Sequence, residues 1–258
     1  MPLVRTGKAT VDVESMGTGR DLVLLHSLLA DHTAFERAAP LLAQKRRVWL
    51  VNLPGYGASS AAGDSVEDYA ERIASLLDVL HLGRNTDILG NGFGGFIAVT
   101  LAARHTDRFA RLIAAPALIG FPHPAKEPFY RLADLVSAQG MRAVLDLAVR
   151  RMFSEAFILK HPEIVAERKR ALEKADPQGF RIACLALAKL DLSSVLPNIK
   201  NPTLVMVGAE DATTPPELAQ QLAAGISGAR FQRLDGCGHC PQIEDPAGFV
   251  AAVEGFLA

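Results

Sequence analysis

The sequence has few cysteines, no long apolar run and almost no net charge, and each shortage argues against a class of protein. Three cysteines, Cys184, Cys237 and Cys240, are too few and too unevenly spaced for a disulfide framework. No apolar run reaches the roughly 18 to 20 residues needed to cross a bilayer, and the first residues lack the apolar segment of a secretory signal. We therefore expect a soluble, cytoplasmic protein that does not bind a membrane.

The charge balance argues against a polyanionic partner. The formal net charge is -1, and the longest basic cluster, at residues 45–47, precedes an apolar strand, as a solvated strand end does. We expect no nucleic-acid binding. With 258 residues, of which 49% are hydrophobic, the chain is long enough for one domain with a sizeable core. The expected partner is a small-molecule substrate or ligand, and assembly into a homo-oligomer is left open.

Short runs rich in Val, Ile and Leu alternate with longer segments of helical period. This alternation predicts a mostly parallel sheet with helices on both faces. An apolar-polar alternation at residues 9–14 predicts an antiparallel edge strand. After Ser65, a good N-cap, apolar residues spaced by three and four predict a helix that packs on the sheet. The predicted buried strands span residues 22–25, 48–52, 86–89, 112–115, 203–207 and 231–234.

The strand pattern is interrupted between about residues 120 and 191. Several helical stretches there are broken by proline and glycine, and no convincing strand is present. Because strands resume at residue 203, we predict a core of residues 1–120 and 192–258. Residues 121–191 are then a helical cap inserted over one end of the sheet.

The segment GNGFGG at residues 90–95 follows a predicted strand and precedes a predicted helix. It satisfies G-x-G-x-x-G, a dinucleotide-binding turn, but the next strand does not end in the acidic residue that would hold the ribose. The alternative is a nucleophile elbow, G-x-S-x-G, in which Gly90 and Gly94 are the small flanking residues. In that interpretation the nucleophile position is Gly92.

An acid and a histidine follow the last two predicted strands, as a hydrolytic triad requires. Asp211 is the predicted acid. The alternatives are that Glu210 is the acid, or that both residues only cap the next helix. His239 is the predicted base, held by the carboxylate in the tautomer that accepts a proton. The competing interpretations of His239 are a surface histidine, or a metal or redox site with Cys237 and Cys240. The latter lacks the second Cys or His pair of a four-ligand zinc site, so we expect no metal and no cofactor.

The turn after the first buried strand begins with His26 and Ser27. The backbone N–H of Leu28 in this turn, together with that of Phe93, is a candidate oxyanion hole. Ser27 either presents its hydroxyl to the substrate pocket or is an ordinary loop serine. We expect no special role for the remaining histidines.

Five segments, in order along the whole chain, resemble the α/β-hydrolase superfamily. HS at residues 26–27 is similar to its His-Gly oxyanion turn, and NLPGYGAS at 52–59 to its Asp-x-Pro-Gly-x-Gly-x-Ser loop. The others are the elbow, GAEDATTP at 208–215, and CGH at 237–239 followed by EDP at 244–246. The resemblance implies an eight-stranded α/β-hydrolase fold, closest to 3-oxoadipate enol-lactonases and carboxylesterases and then to the meta-cleavage carbon–carbon hydrolases. Two departures are Ser27 for a glycine and Gly92 for the nucleophile.

The resemblance implies hydrolysis of a small carboxylic ester or enol-lactone, absent or weakened because Gly92 has no hydroxyl. Three explanations stay open. A serine at position 92 has been replaced to trap a substrate, or His239 activates water in the space left by the side chain, or the protein binds a ligand without turnover. Carbon–carbon bond hydrolysis is a further alternative.

Overall fold

The computed structural model describes residues 3–258 and contains one sheet of eight strands. The strands are β1 (Leu3–Thr6), β2 (Ala9–Met16), β3 (Arg20–Leu25), β4 (Arg46–Val51), β5 (Asp87–Gly90), β6 (Arg111–Ala114), β7 (Thr203–Gly208) and β8 (Arg230–Leu234). Their order across the sheet is β1-β2-β4-β3-β5-β6-β7-β8.

The sheet is mostly parallel, as the sequence predicts. Strand β2 pairs antiparallel with β1 and β4, and every other neighbouring pair is parallel. The prediction that residues 9–14 form the edge strand is wrong, because β1 lies outside β2 and is the edge. Strand β1 has only four residues and mixed burial, so its sequence gave no clear period.

Helices cover both faces of the sheet. Alternate residues of β3 face opposite cores: Val23 and Leu25 belong to one buried cluster and Leu22 and Leu24 to the other. The helices are α1 (Ala39–Leu42), α2 (Val66–Val79), α3 (Phe93–Arg104), α4 (His123–Gln139), α5 (Leu145–Met152), α6 (Glu155–Lys160), α7 (Pro162–Glu173), α8 (Pro177–Lys189), α9 (Pro216–Gly225), α10 (Pro241–Glu244) and α11 (Pro246–Leu257).

Helix α2 begins as its sequence predicts. The Ser65 hydroxyl accepts from the Asp68 backbone N–H at 3.2 Å, and the Asp68 carboxylate accepts from the Ser65 N–H at 3.2 Å. This capping box satisfies two N–H groups that the first turn cannot bond internally. The apolar face of α2, including Tyr69, Ile73 and Leu77, is buried in the main core.

The segment between β6 and β7 contains helices α4 to α8 and no strand of the sheet. Its two ends meet in an antiparallel bridge between Gly120 and Asp191. Helix α4 packs along α8, so the segment has packing of its own. The segment begins after the carboxyl end of β6. The loops with the predicted site residues lie at the same edge of the sheet. Within residues 3–258 no helix has both the length and the apolar character that a membrane crossing needs.

Candidate active site

Four of the predicted site residues lie just beyond the carboxyl ends of sheet strands. Ser27 follows β3, Gly92 follows β5, Asp211 follows β7 and His239 follows β8. In an open parallel sheet the loops at this edge converge, which is why ligands bind there. The structure brings Ser27, Gly92, Asp211 and His239 together at one point.

The imidazole of His239 is held by Asp211. Nδ1 of His239 lies 2.9 Å from Oδ2 of Asp211, and both side chains are almost fully buried. Oδ1 of Asp211 accepts the backbone N–H groups of Thr213 and Thr214, each at 2.9 Å, and the Thr214 hydroxyl donates to Oδ2. Because these donors and the imidazole surround an acceptor-only carboxylate, Nδ1 carries the proton and Nε2 is left as an acceptor. Glu210 is exposed, so the carboxylate beside the imidazole is that of Asp211.

The loop of His239 is fixed by residues that the sequence did not single out as site residues. The side chain of Asn91 donates through Nδ2 to the carbonyl of His239 at 3.0 Å. The N–H of His239 donates to the carbonyl of Met152 at 3.1 Å, and Oε1 of Glu244 accepts the N–H of Gly238 at 2.9 Å. Burial raises the pKa of Glu244. These bonds tie the histidine loop to the elbow and to helix α5.

Gly92 has the backbone conformation of an elbow residue. Its φ is 53° and its ψ is -117°, and helix α3 starts at the next residue. A non-glycine residue is strained there. A Cβ placed on Gly92 would lie 2.7 Å from Nε2 of His239 and 2.4 Å from Oγ of Ser27. The side-chain direction of position 92 therefore points at the imidazole.

The neighbouring glycines are explained by packing within the protein. A Cβ on Gly90 would lie 2.1 Å from the carbonyl oxygen of Gly94, and a Cβ on Gly94 would lie 2.2 Å from that of Leu25. Only glycine permits such close backbone approach. The spacing that matches a dinucleotide motif is thus required by the contact of α3 with β3 and β5, and no dinucleotide is needed to explain it.

A small cavity of about 20 Å³ opens on this group of residues. Ser27, Gly92 and His239 line this cavity. The segment between β6 and β7 contributes Phe121, Phe129, Arg151 and Leu187 to its wall. The cavity is therefore mostly apolar, with few polar groups, which is usual for small-molecule sites.

Arg151 is the cation of the cavity wall. Its guanidinium lies over the ring of Phe129, with Cζ 5.1 Å from the ring centroid. Burial lowers the pKa of Arg151, although the charge of Asp211 opposes that shift. No ion pair among residues 3–258 includes Arg151, whereas Arg46, Arg111 and Arg168 each contact a carboxylate. The sequence did not identify Arg151, because it lies in a helical segment with no motif.

The candidate oxyanion donors, the backbone N–H groups of Leu28 and Phe93, both belong to residues that line the cavity. Phe93 is the first residue of helix α3, whose first N–H groups have no partner within the helix. Neither N–H donates to a protein acceptor within residues 3–258. Both are thus available to a bound group.

The turn that carries Ser27 is held by the preceding histidine. Nδ1 of His26 donates to the carbonyl of Ser27 at 2.8 Å, and Nε2 accepts the N–H of Leu53 at 3.0 Å. The ring is completely buried, which lowers the pKa of His26 to about 4. His26 therefore remains neutral near pH 7 and acts as a fixed link between two loops.

Cys237 and Cys240 are buried free thiols beside the histidine loop. Burial raises the pKa of Cys237 to about 12 and also raises that of Cys240. Redox and metal chemistry use the thiolate, which these surroundings disfavour. Across the part of the chain that the structure describes, no group of three His, Cys, Asp or Glu residues is arranged to hold a metal.

A mostly parallel sheet with an elbow before a helix and a buried acid-histidine pair at its carboxyl edge defines the class of α/β hydrolases. The sequence model of the Alpha/beta hydrolase family matches residues 22–253, and the chain belongs to this family.

Several relatives are enol-lactonases and esterases. The chain is 28% identical to 3-oxoadipate enol-lactonase 2 of Acinetobacter baylyi, over 92% of this chain and 88% of that protein. It is 30% identical to the pimeloyl-[acyl-carrier protein] methyl ester esterase of Aeromonas hydrophila, over 96% and 99%. The crystal structure of the enol-lactonase from Burkholderia xenovorans LB400 superposes with a TM-score of 0.93 at 27% identity, covering 99% of each chain.

Proposed function

We propose that the protein hydrolyses a small carboxylic ester or lactone, with His239 as general base and Asp211 as the residue that orients it. The observation that carries this proposal is the 2.9 Å contact between Nδ1 of His239 and Asp211, which leaves Nε2 directed at the cavity. A protein that only binds a ligand has no evident need of an imidazole held in this tautomer.

The base acts on a hydroxyl that position 92 does not supply. Nε2 of His239 takes the proton of a water molecule or of another hydroxyl as that oxygen attacks the ester carbonyl. The imidazolium formed is stabilised by Asp211 and then protonates the leaving oxygen. The N–H groups of Leu28 and Phe93 stabilise the negative charge that develops on the carbonyl oxygen. No step requires a cofactor.

The cavity favours a substrate with an apolar body and a negatively charged group. Its wall is aromatic and aliphatic, and Arg151 is a cation without a carboxylate partner. A guanidinium in such surroundings pairs strongly with a carboxylate. Relatives named for an enol-lactone and for a methyl ester support the same reaction class.

Two alternatives, carbon–carbon bond hydrolysis and ligand binding without turnover, have less support from the site. The similarity to carbon–carbon hydrolases is carried by Gly90 and Asn91 in the sequence. The side chain of Asn91 bonds the carbonyls of Ala115 and His239 and does not line the cavity. A ligand-binding protein without turnover is favoured only by the absence of a hydroxyl at Gly92.

The test is hydrolysis of p-nitrophenyl acetate and of an enol-lactone by the protein and by His239→Ala. We expect measurable turnover by the unaltered protein and a loss of about 10² to 10⁴-fold in His239→Ala, the usual contribution of a general base. His123→Ala, which changes an exposed histidine, is the matched control. Equal rates for the protein and His239→Ala would reject the proposal, and binding without turnover in both would favour the ligand-binding alternative.

A further inference from the structure

The hydroxyl of Ser27 occupies the space above Gly92. A Cβ added to Gly92 would lie 2.4 Å from Oγ of Ser27 and 3.0 Å from its Cβ, well inside ordinary contact distances. That same Cβ position is 2.7 Å from Nε2 of His239. The side chain of Ser27 therefore fills the volume into which a side chain at position 92 would project.

The Ser27 hydroxyl is also the protein group that faces the free nitrogen of the base. Its Oγ lies 3.5 Å from Nε2 of His239, and Ser27 is buried. Because Nδ1 donates to Asp211, Nε2 is the acceptor and the serine hydroxyl is the donor. The contact is long, as nucleophile-base contacts often are without substrate. Oγ has no other hydrogen-bond partner within residues 3–258.

The backbone under Ser27 is held rigidly. Its carbonyl accepts from Nδ1 of His26 at 2.8 Å and from the N–H of Ala30 at 3.2 Å. His26 is in turn bonded to Leu53 at 3.0 Å. A nucleophile needs this kind of support, because a misplacement of about 1 Å can reduce the rate by two orders of magnitude.

We propose that Ser27 is the nucleophile of the hydrolysis proposed above, with the hydroxyl transferred from the elbow to the oxyanion turn. Oγ attacks the carbonyl carbon, its proton passes to Nε2 of His239, and the carbonyl π bond becomes an oxyanion. Collapse breaks the bond to the leaving oxygen, which takes the proton from His239. Water then attacks the acyl-Ser27 ester, with the same base removing its proton, and Oγ recovers a proton as the acid leaves.

The oxyanion donors remain suitable after this transfer. Stabilisation of the tetrahedral intermediate normally uses the N–H of the residue after the nucleophile and an N–H from a facing loop. For Ser27 the following residue is Leu28, and Phe93 at the start of helix α3 is the facing donor. Leu28 then supplies the N–H that follows the nucleophile, and Phe93 supplies the N–H of the facing loop. The same two N–H groups therefore form the oxyanion hole.

The two departures from the family pattern then have one cause. A serine at 92 beside a serine at 27 would crowd, because even the Cβ atoms would be only 3.0 Å apart. A glycine at one position permits a serine at the other. Ser27 and Gly92, the two positions that depart from the pattern the sequence resembles, are thus compatible neighbours, because the glycine leaves room for the serine.

The test uses p-nitrophenyl acetate with Ser27→Ala and, as a matched control, Ser75→Ala, which removes an exposed hydroxyl of α2. We expect Ser27→Ala to lose at least about 10²-fold in turnover, down to the rate of His239→Ala, and Ser75→Ala to lose nothing. A Ser27→Ala variant that keeps its turnover while His239→Ala loses it overturns the serine nucleophile and leaves hydrolysis by activated water. No turnover in the unaltered protein overturns both proposals.

A second measurement excludes a merely structural role of Ser27. Mass analysis after rapid quenching should show one acetyl adduct on the intact protein and, after digestion, on the peptide that contains Ser27. The adduct should be absent in Ser27→Ala. In the double variant Ser27→Gly/Gly92→Ser, the adduct should move to position 92 and turnover should return to within about tenfold of the unaltered protein. The proposal would be contradicted if the unaltered protein turned over substrate but formed no adduct, under conditions in which the double variant forms one.

Discussion

At the scale of single residues, the geometry of the site depends on whether position 27 or position 92 carries the side chain next to the imidazole of His239. Gly92 has a positive φ and leaves room for Ser27, whereas any Cβ at position 92 meets both Ser27 and His239. The same glycine therefore relieves backbone strain and permits the contact between Ser27 and the base. Stability and chemistry are linked at this one position.

We predict that Gly92→Ser unfolds more easily than the unaltered protein. The positive φ alone costs a serine about 1 to 3 kcal/mol, and the contact with Ser27 adds to that cost. Urea unfolding measures the difference. Gly228→Ser is the matched control, since Gly228 has a similar φ of 73° but nothing within 4 Å of its added Cβ. Gly92→Ser should be less stable than Gly228→Ser. The double variant Ser27→Gly/Gly92→Ser should recover the stability that Gly92→Ser loses through the contact with Ser27.

Equal stability of Gly92→Ser and the unaltered protein would show that the crowding above Gly92 is absent in solution. That result would also weaken the argument that the glycine at position 92 leaves room for Ser27.

At the scale of elements, the loops that follow parallel strands were the predictable part of the site. Gly92, Asp211 and His239 each follow an apolar run, and the topology of a parallel sheet places such loops at one edge. The contact between Ser27 and His239 was not predictable, because it joins residues 212 positions apart through side-chain directions that only the fold determines. The short strand β1 was missed because its four residues have no clear burial period.

The turn after β3 makes the stability of the protein depend on pH. The pKa of His26 is about 4 in the folded protein because the ring is buried, and about 6.5 in the unfolded chain. Between these values the unfolded chain binds more protons, so stability falls as pH drops from about 6.5 to about 4. The loss from His26 amounts to about 3 kcal/mol.

Urea unfolding at several pH values checks this prediction. His26→Gln should show a shallower loss of stability between pH 6.5 and 4 than the unaltered protein, although it is less stable at pH 7. His123→Gln, a change at an exposed histidine, should keep the original slope. A His26→Gln curve parallel to that of the unaltered protein would mean that His26 does not titrate as its burial implies.

At the scale of the whole molecule, the proposed reacting groups and the proposed substrate-binding groups come from different parts of the chain. The sheet edge supplies Ser27, Asp211 and His239, and the segment between β6 and β7 supplies Phe129 and Arg151. Hydrophobic patterning identified this segment as helical but could not show which of its side chains turn toward the sheet. The sequence therefore predicted the family, whereas it could not predict which substrate the cavity would prefer.

We predict that Arg151→Met raises KM for an ester that carries a carboxylate by about 10- to 100-fold. This factor corresponds to the usual free energy of a hydrogen bond to a charged group. KM for p-nitrophenyl acetate, which is neutral, should change little, since methionine keeps the apolar stem. Arg150→Met, at the exposed neighbouring position, is the control. An equal rise of KM for charged and neutral esters would indicate a disturbed cavity and no anion site.

The most direct test of the account is reaction of the protein with a fluorophosphonate, which labels serines that are activated by a base. The label is located by peptide mass spectrometry in the unaltered protein and in His239→Ala. We predict stoichiometric labelling of Ser27 that is lost in His239→Ala. Labelling that is absent from the unaltered protein, or that is the same in both proteins, would contradict the assignment of Ser27 and His239 as nucleophile and base.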